Sequence, residues 1–86
     1  MTGGATVDAR GLRCPMPVIR LAKAARDLPD GAVVTVLATD PAARHDVPAW
    51  ARMRGHTLLG VEEAAEGATA ISVRLGPPPP PGPDAR

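Results

Sequence analysis

Cys14 is the only cysteine of the 86 residues, and Pro15, Met16 and Pro17 after it give it a setting in which a thiol can react. Proline suits the first position of a helix, where its missing N–H would find no partner and its φ is already helical. Cys14 is therefore expected at the N-cap of a helix, where the peptide dipoles present partial positive charge. Arg13 beside it adds a cation. Both favour the thiolate, since a thiol pKa falls from ~8.5 near a helix N-terminus or a cation. The two prolines remove two of the four donors of the first turn, leaving the N–H of Met16 and, less directly, that of Val18 for the sulfur, so a moderate depression is expected. A solitary cysteine is more commonly a small buried hydrophobe, but a turn between a strand and a proline-started helix is a poor place to bury one.

A thiolate of this kind attacks a persulfide offered by another protein. It also leaves readily when an acceptor thiolate attacks the outer sulfur of its own persulfide. With no second cysteine to resolve that persulfide, sulfur would come from one partner and go to another, which suits a carrier and not a Cys-x-x-Cys oxidoreductase.

The elements that must position Cys14 follow from the hydrophobic pattern. Residues 5–9 read as a short strand ended by the turn Arg10-Gly11. A helix over 15–28 puts Val18, Leu21, Ala22, Ala25 and Leu28 on one face, with Arg20, Lys23 and Asp27 opposite, Met16 above them, and Ile19 and Arg26 on the flank. Pro29-Asp30-Gly31 stops it. Residues 33–39 are rich in β-branched side chains and form the clearest strand. Asp40 before Pro41 and Asp46 before Val47-Pro48 are both cap signals, and a second helix is expected over 47–54, burying Val47, Trp50 and Ala51 and ending at Gly55. Strands over 57–64 and 69–75 follow, joined by a hairpin at Glu66-Gly67. The order βαβαββ, with right-handed crossovers, gives an α/β (α+β) two-layer sandwich: a four-stranded mixed sheet with two helices on one face. The domain is expected over 5–75. The proline-rich stretch 76–86 is expected to be an extended, disordered tail.

Composition narrows the function. There is no Tyr or Phe and one Trp, so the core is aliphatic and a large cavity for an organic cofactor would be hard to line; no cofactor is expected. Ten basic against nine acidic side chains leave a net charge of +1, which predicts no direct nucleic-acid binding. No apolar run approaches a membrane span of about 18 residues. The N-terminus lacks the basic start and apolar stretch of a signal peptide, and the reading is cytoplasmic. His45 and His56 do not form a metal set with Cys14, because nothing supplies further ligands at recognisable spacing.

Residues 8–18, from Asp8 through Arg10, Gly11, Arg13, Cys14 and Pro15 to Val18, resemble the TusA (SirA-like) family of small sulfur-carrier proteins. Lys23, Gly31, Asp40-Pro41, Asp46-Val47-Pro48-Ala49-Trp50 and Gly55-His56 follow in register. The similarity spans about residues 6 to 75. It implies a βαβαββ fold and a persulfide carried on Cys14. The implied donor is a cysteine desulfurase or rhodanese-type protein, and the implied acceptor a downstream relay protein serving tRNA thiolation, molybdenum-cofactor synthesis or sulfur metabolism. Many members carry a second cysteine where this chain has Ala51, which leaves the carrier role intact.

Arg13, Pro15, Met16 and Pro17 are thus candidates for stabilising the thiolate. Met16, Ile19, Arg20, Lys23 and Asp46 are candidates for docking the donor and acceptor, with Arg20 and Lys23 meeting acidic side chains. A monomer suits a shuttle that must leave Cys14 open. Two other classes fit less of the pattern. A regulatory or RNA-binding module would present Arg20, Lys23 and Arg26 but has too few aromatic platforms. A thiol redox sensor would form a sulfenic acid at Cys14.

Overall fold

A computed structural model describes residues 4–76; the proline stretch expected to be a tail lies, from residue 77 on, outside the described residues. The element order is the expected one: β1 (Gly4–Ala9), α1 (Met16–Ala25), β2 (Val33–Ala38), α2 (Ala43–Arg54), β3 (Thr57–Glu63) and β4 (Thr69–Arg74). The strands form one mixed sheet in the order β1-β2-β4-β3. β1 runs parallel to β2, and β4 runs antiparallel to both β2 and β3. Its two helices pack side by side, α1 over β1 and β2, α2 over β4 and β3.

Alternation within the strands selects the covered face. Val34, Val36 and Ala38 in β2 and Ile71 and Val73 in β4 are fully buried, while Thr35 and Ser72 between them face away and share a hydrogen bond of 2.9 Å. Period-two patterning of this kind belongs to a sheet with one face packed and one wetted. Leu21 from α1 and Val47, Trp50 and Ala51 from α2 close the core from the other side. Trp50 is core, as its place in the helix pattern suggested, and its ring stands 4.9 Å from that of His56.

Both helices differ from expectation at their ends. α1 stops at Ala25, and the chain continues to Leu28 in tighter turns closed by Asp27 N–H to Ala24 O and Leu28 N–H to Ala25 O. Leu28 still packs against the core. α2 begins at Ala43, one turn before the expected start, and runs through Pro48. A proline inside a helix forfeits one backbone hydrogen bond; the earlier turn is kept because it brings Ala43 into the core, 1 % exposed. Asp46 consequently lies inside the first turn and caps nothing.

The C-terminal end of α2 is as expected. Gly55 takes φ 77°, and the bonds from Gly55 N–H to Arg52 O and from His56 N–H to Ala51 O are those of a Schellman close. The β3–β4 hairpin turns at Glu66 and Gly67, both at positive φ (59° and 76°), as the tight turns that match strand twist require.

Because the core is small and lacks large aromatic side chains other than Trp50, each aliphatic residue matters. Leu21→Ala is expected to cost about 2–5 kcal/mol, read as a lower urea midpoint with little change in slope.

Candidate functional site

The turn joining β1 to α1 places Cys14 at the surface with its thiol exposed. Its backbone is fastened from the neighbouring connection. Asp40, at the end of β2, accepts the Cys14 N–H on Oδ2 at 2.8 Å and the Ala42 N–H on Oδ1 at 3.0 Å. One residue earlier, Thr39 Oγ1 accepts the Gly11 N–H at 2.8 Å. Two βα turns are thereby tied together. This follows from topology, since β1 and β2 are adjacent and parallel, so both strands deliver their chain to the same edge of the sheet.

The thiol itself faces α2. Asp46 Oδ2 accepts a hydrogen bond from the Cys14 Sγ–H. This contact and the negative charges of Asp46 and Asp40, together with partial desolvation, push the Cys14 thiol above its ordinary pKa, with the Asp46 hydrogen bond as the largest cause. The expected thiolate-stabilising arrangement is therefore not the one formed. The N-cap position is Pro15, not Cys14. The Met16 N–H that was expected to serve the sulfur is bonded to Arg13 O at 2.8 Å. Pro17 is buried in the core side of α1. Arg13 acts on Asp40, helping to hold its carboxyl below the usual range, and does not offset the two carboxylates beside the sulfur. Pro15 follows Cys14 through a cis peptide bond.

Of the residues expected to dock a partner, four share one surface. Met16 and Ile19 are 39 % and 50 % exposed, and with Arg20 and Lys23 they line an open groove of about 590 Å³ between α1 and the edge strand β1. Among the described residues neither Arg20 nor Lys23 enters a salt bridge. Asp46 comes to Cys14 from α2, so the expected docking set divides into a partly apolar, cationic flank on α1 and an acidic one at the sulfur.

Asp46 is the residue whose contact with the sulfur sequence reasoning missed, having assigned it to a cap and to the docking set. The available signal was topological: two parallel βα units side by side must bring the first turn of the second helix near that of the first. Arg10, next to the site, is occupied by a two-pronged pairing with Asp8 (2.8 and 2.9 Å), which holds the Asp8 carboxyl well below the usual carboxylate range. His56 accepts the Gly76 N–H on Nδ1 at 2.9 Å, a structural use remote from Cys14. No helix among the described residues is long and apolar enough to cross a membrane.

Comparison with known proteins finds relatives of this chain. The family model described as sulfurtransferase TusA matches residues 5–75. The sulfur carrier protein TusA of Pseudomonas entomophila is 51 % identical over 61 residues, 71 % of this chain and 76 % of that protein. The putative sulfur carrier protein YrkI of Bacillus subtilis is 43 % identical over 67 residues, covering 78 % and 87 %. Among solved structures, a SirA-like protein from Desulfitobacterium hafniense superposes with a TM-score of 0.74 at 33 % identity, covering 84 % of this chain and 97 % of that one.

The two bonds to Asp40 make the turn sensitive to acid. The Ala42 and Cys14 N–H groups lower the Asp40 pKa, so the stability it contributes is present above the ordinary carboxylate pKa and is lost as pH falls through the lowered value. Asp40→Asn is expected to lower the melting temperature at neutral pH. Its deficit against wild type should shrink when both are measured in acid below that value, and a constant deficit would contradict this assignment.

Proposed function

The chain belongs to the sulfurtransferase TusA family, and we propose that it carries sulfane sulfur as a persulfide on Cys14, receiving it from a cysteine desulfurase or rhodanese-type donor and passing it to an acceptor protein. The observation that carries this reading is the exposed thiol of Cys14 on a turn whose backbone is held at two points, Gly11 and Cys14, by the neighbouring turn. A carrier needs its sulfur fixed in place, so that a partner meets it in one geometry, and open, so that the partner reaches it.

Loading is an exchange between sulfurs. Cys14 Sγ gives up its proton and attacks the outer sulfur of the donor's cysteine persulfide. The donor's S–S bond breaks, its electron pair leaves with the donor cysteine as a thiolate, and that thiolate takes up the proton. The outer sulfur arrives on Cys14 at the same oxidation level, so no external oxidant or reductant is consumed. Delivery is the same step with the roles exchanged: the acceptor attacks the outer sulfur and Cys14 leaves as thiolate.

The groove along α1 is the docking surface of this reading. Met16 and Ile19 supply exposed apolar contact beside the sulfur, and Arg20 and Lys23 supply positive charge for acidic side chains of the donor. A role as a peroxide sensor is disfavoured by the acidic surroundings of the thiol, because oxidation to sulfenic acid runs through the thiolate.

The test is intact-mass analysis after incubation with a cysteine desulfurase and cysteine, or with a rhodanese and thiosulfate. Wild type is expected to gain one sulfur atom that a thiol reductant removes, and Cys14→Ser to gain none. Loading of neither, or of both alike, sinks the proposal. Reversing charge on the groove with Arg20→Glu and Lys23→Glu together is expected to slow loading by about tenfold at low salt. The same pair should leave alkylation of Cys14 by iodoacetamide unchanged; a loading rate that is also unchanged would remove the groove from the docking surface.

A further inference from the structure

We infer that Asp46 is a positioning residue for sulfur transfer: its carboxylate holds the Cys14 S–H in the free carrier and releases it when a donor protein brings an arginine or lysine against that carboxylate. This rests on the carrier reading above and adds to it what a partner must present.

The geometry supplies the argument. Asp46 lies in the first turn of α2 but makes no capping bond; the turn before α2 is closed by Asp40 instead. What its carboxylate does accept is the thiol of Cys14, across 32 residues of sequence. The charges that act on the sulfur are Asp46 from α2 and Asp40 from the β2–α2 turn, both negative. No cation is among the charges that act on the sulfur: Arg13 acts on Asp40, Arg10 pairs with Asp8, Arg44 reaches Glu63 at 3.8 Å, and Arg20 and Lys23 line the groove on the other side of α1. Left to itself, the carrier therefore keeps its sulfur as a thiol, which is neither a good nucleophile nor readily oxidised.

A partner changes this only if it brings positive charge. A guanidinium or ammonium set against Asp46 competes with the thiol for the same oxygens, and its attraction strengthens as the interface excludes water. The Sγ–H then loses its acceptor and one of the charges opposing ionisation. Thiolate forms where a donor persulfide is in place to receive its attack, and in delivery the same neutralised carboxylate no longer opposes the thiolate that Cys14 becomes as it leaves. The docking surface also acquires a direction, acidic at the sulfur and basic along Arg20 and Lys23, so a partner with the opposite order of charges docks one way round.

The experiment measures alkylation of Cys14 by iodoacetamide against pH in wild type, Asp46→Asn and Asp46→Ser, with circular dichroism confirming the fold. The midpoint of wild type is expected above that of an ordinary thiol. Both variants should titrate lower, their neutral-pH rates rising about threefold for each unit of that movement, because the gain in thiolate is partly offset by its weaker nucleophilicity. Sulfur loading from a cysteine desulfurase, followed by intact mass, should fall relative to alkylation in both variants, because the partner's cation has lost its carboxylate. Folded variants that titrate with wild type overturn the hold on the thiol. Loading that rises in step with alkylation overturns the role of a partner cation. A wild type that accepts no sulfur from any donor overturns the carrier reading, while the alkylation profiles still decide whether Asp46 holds the thiol.

Discussion

Two backbone N–H groups fasten the site. Gly11 and Cys14, in the turn after β1, donate to the side chains of Thr39 and Asp40, in the turn after β2. An exposed turn carrying prolines at 15 and 17 has few donors of its own with which to build structure, and a backbone group left without a partner is costly. The neighbouring turn satisfies them. Everything that makes Cys14 useful depends on this, because its side chain can stand in solvent without the peptide beneath it wandering. The arrangement needs parallel, adjacent β1 and β2, each followed by a helix on the same face; an antiparallel pair would send the two turns to opposite ends of the sheet.

The parts of the structure written in local pattern were legible in the sequence. A β-branched run marked β2, alternation of apolar and polar residues marked β4, the apolar face of α1 was read from residues three and four apart, and Gly55 and Glu66-Gly67 marked a helix end and a hairpin. What was misread depended on partners far along the chain. The rule that places proline at the start of a helix put the beginning of α2 at Val47, yet burial of Ala43 was enough to extend it a turn earlier despite Pro48. That single turn changed Asp46 from a cap into a neighbour of Cys14. The sign of the thiol's pKa shift went with it: a helix dipole and Arg13 can be seen from residues 13–17, whereas carboxylates 26 and 32 positions away cannot.

The same distance in sequence separates the site from the core. Aliphatic residues of the two helices and of β2 and β4 hold the sandwich together, and the side chains of Thr39 and Asp40, which lie outside that cluster, hold the turn. Packing of the core and placement of the sulfur are thus supplied largely by different residues, with Asp40 serving stability and the sulfur's surroundings alike. Side chains around Cys14 can vary with the partner to be served while the fold stays the same.

A thiol that resists ionisation looks at first unsuited to carrying sulfur, but the two halves of the task make opposite demands. As an attacking group, a sulfur of higher pKa is the stronger nucleophile once deprotonated; as a leaving group, one of lower pKa departs faster. Any fixed pKa favours loading or delivery at the expense of the other. An acidity governed by one carboxylate is not fixed, because a partner that covered Asp46 would rewrite the charge beside the sulfur. A donor and an acceptor with differently placed cations would then meet the same cysteine at different effective acidities. Under that constraint a raised pKa in the isolated protein is the sensible resting state: it protects the thiol between encounters and leaves each partner to set the acidity its own half of the transfer requires.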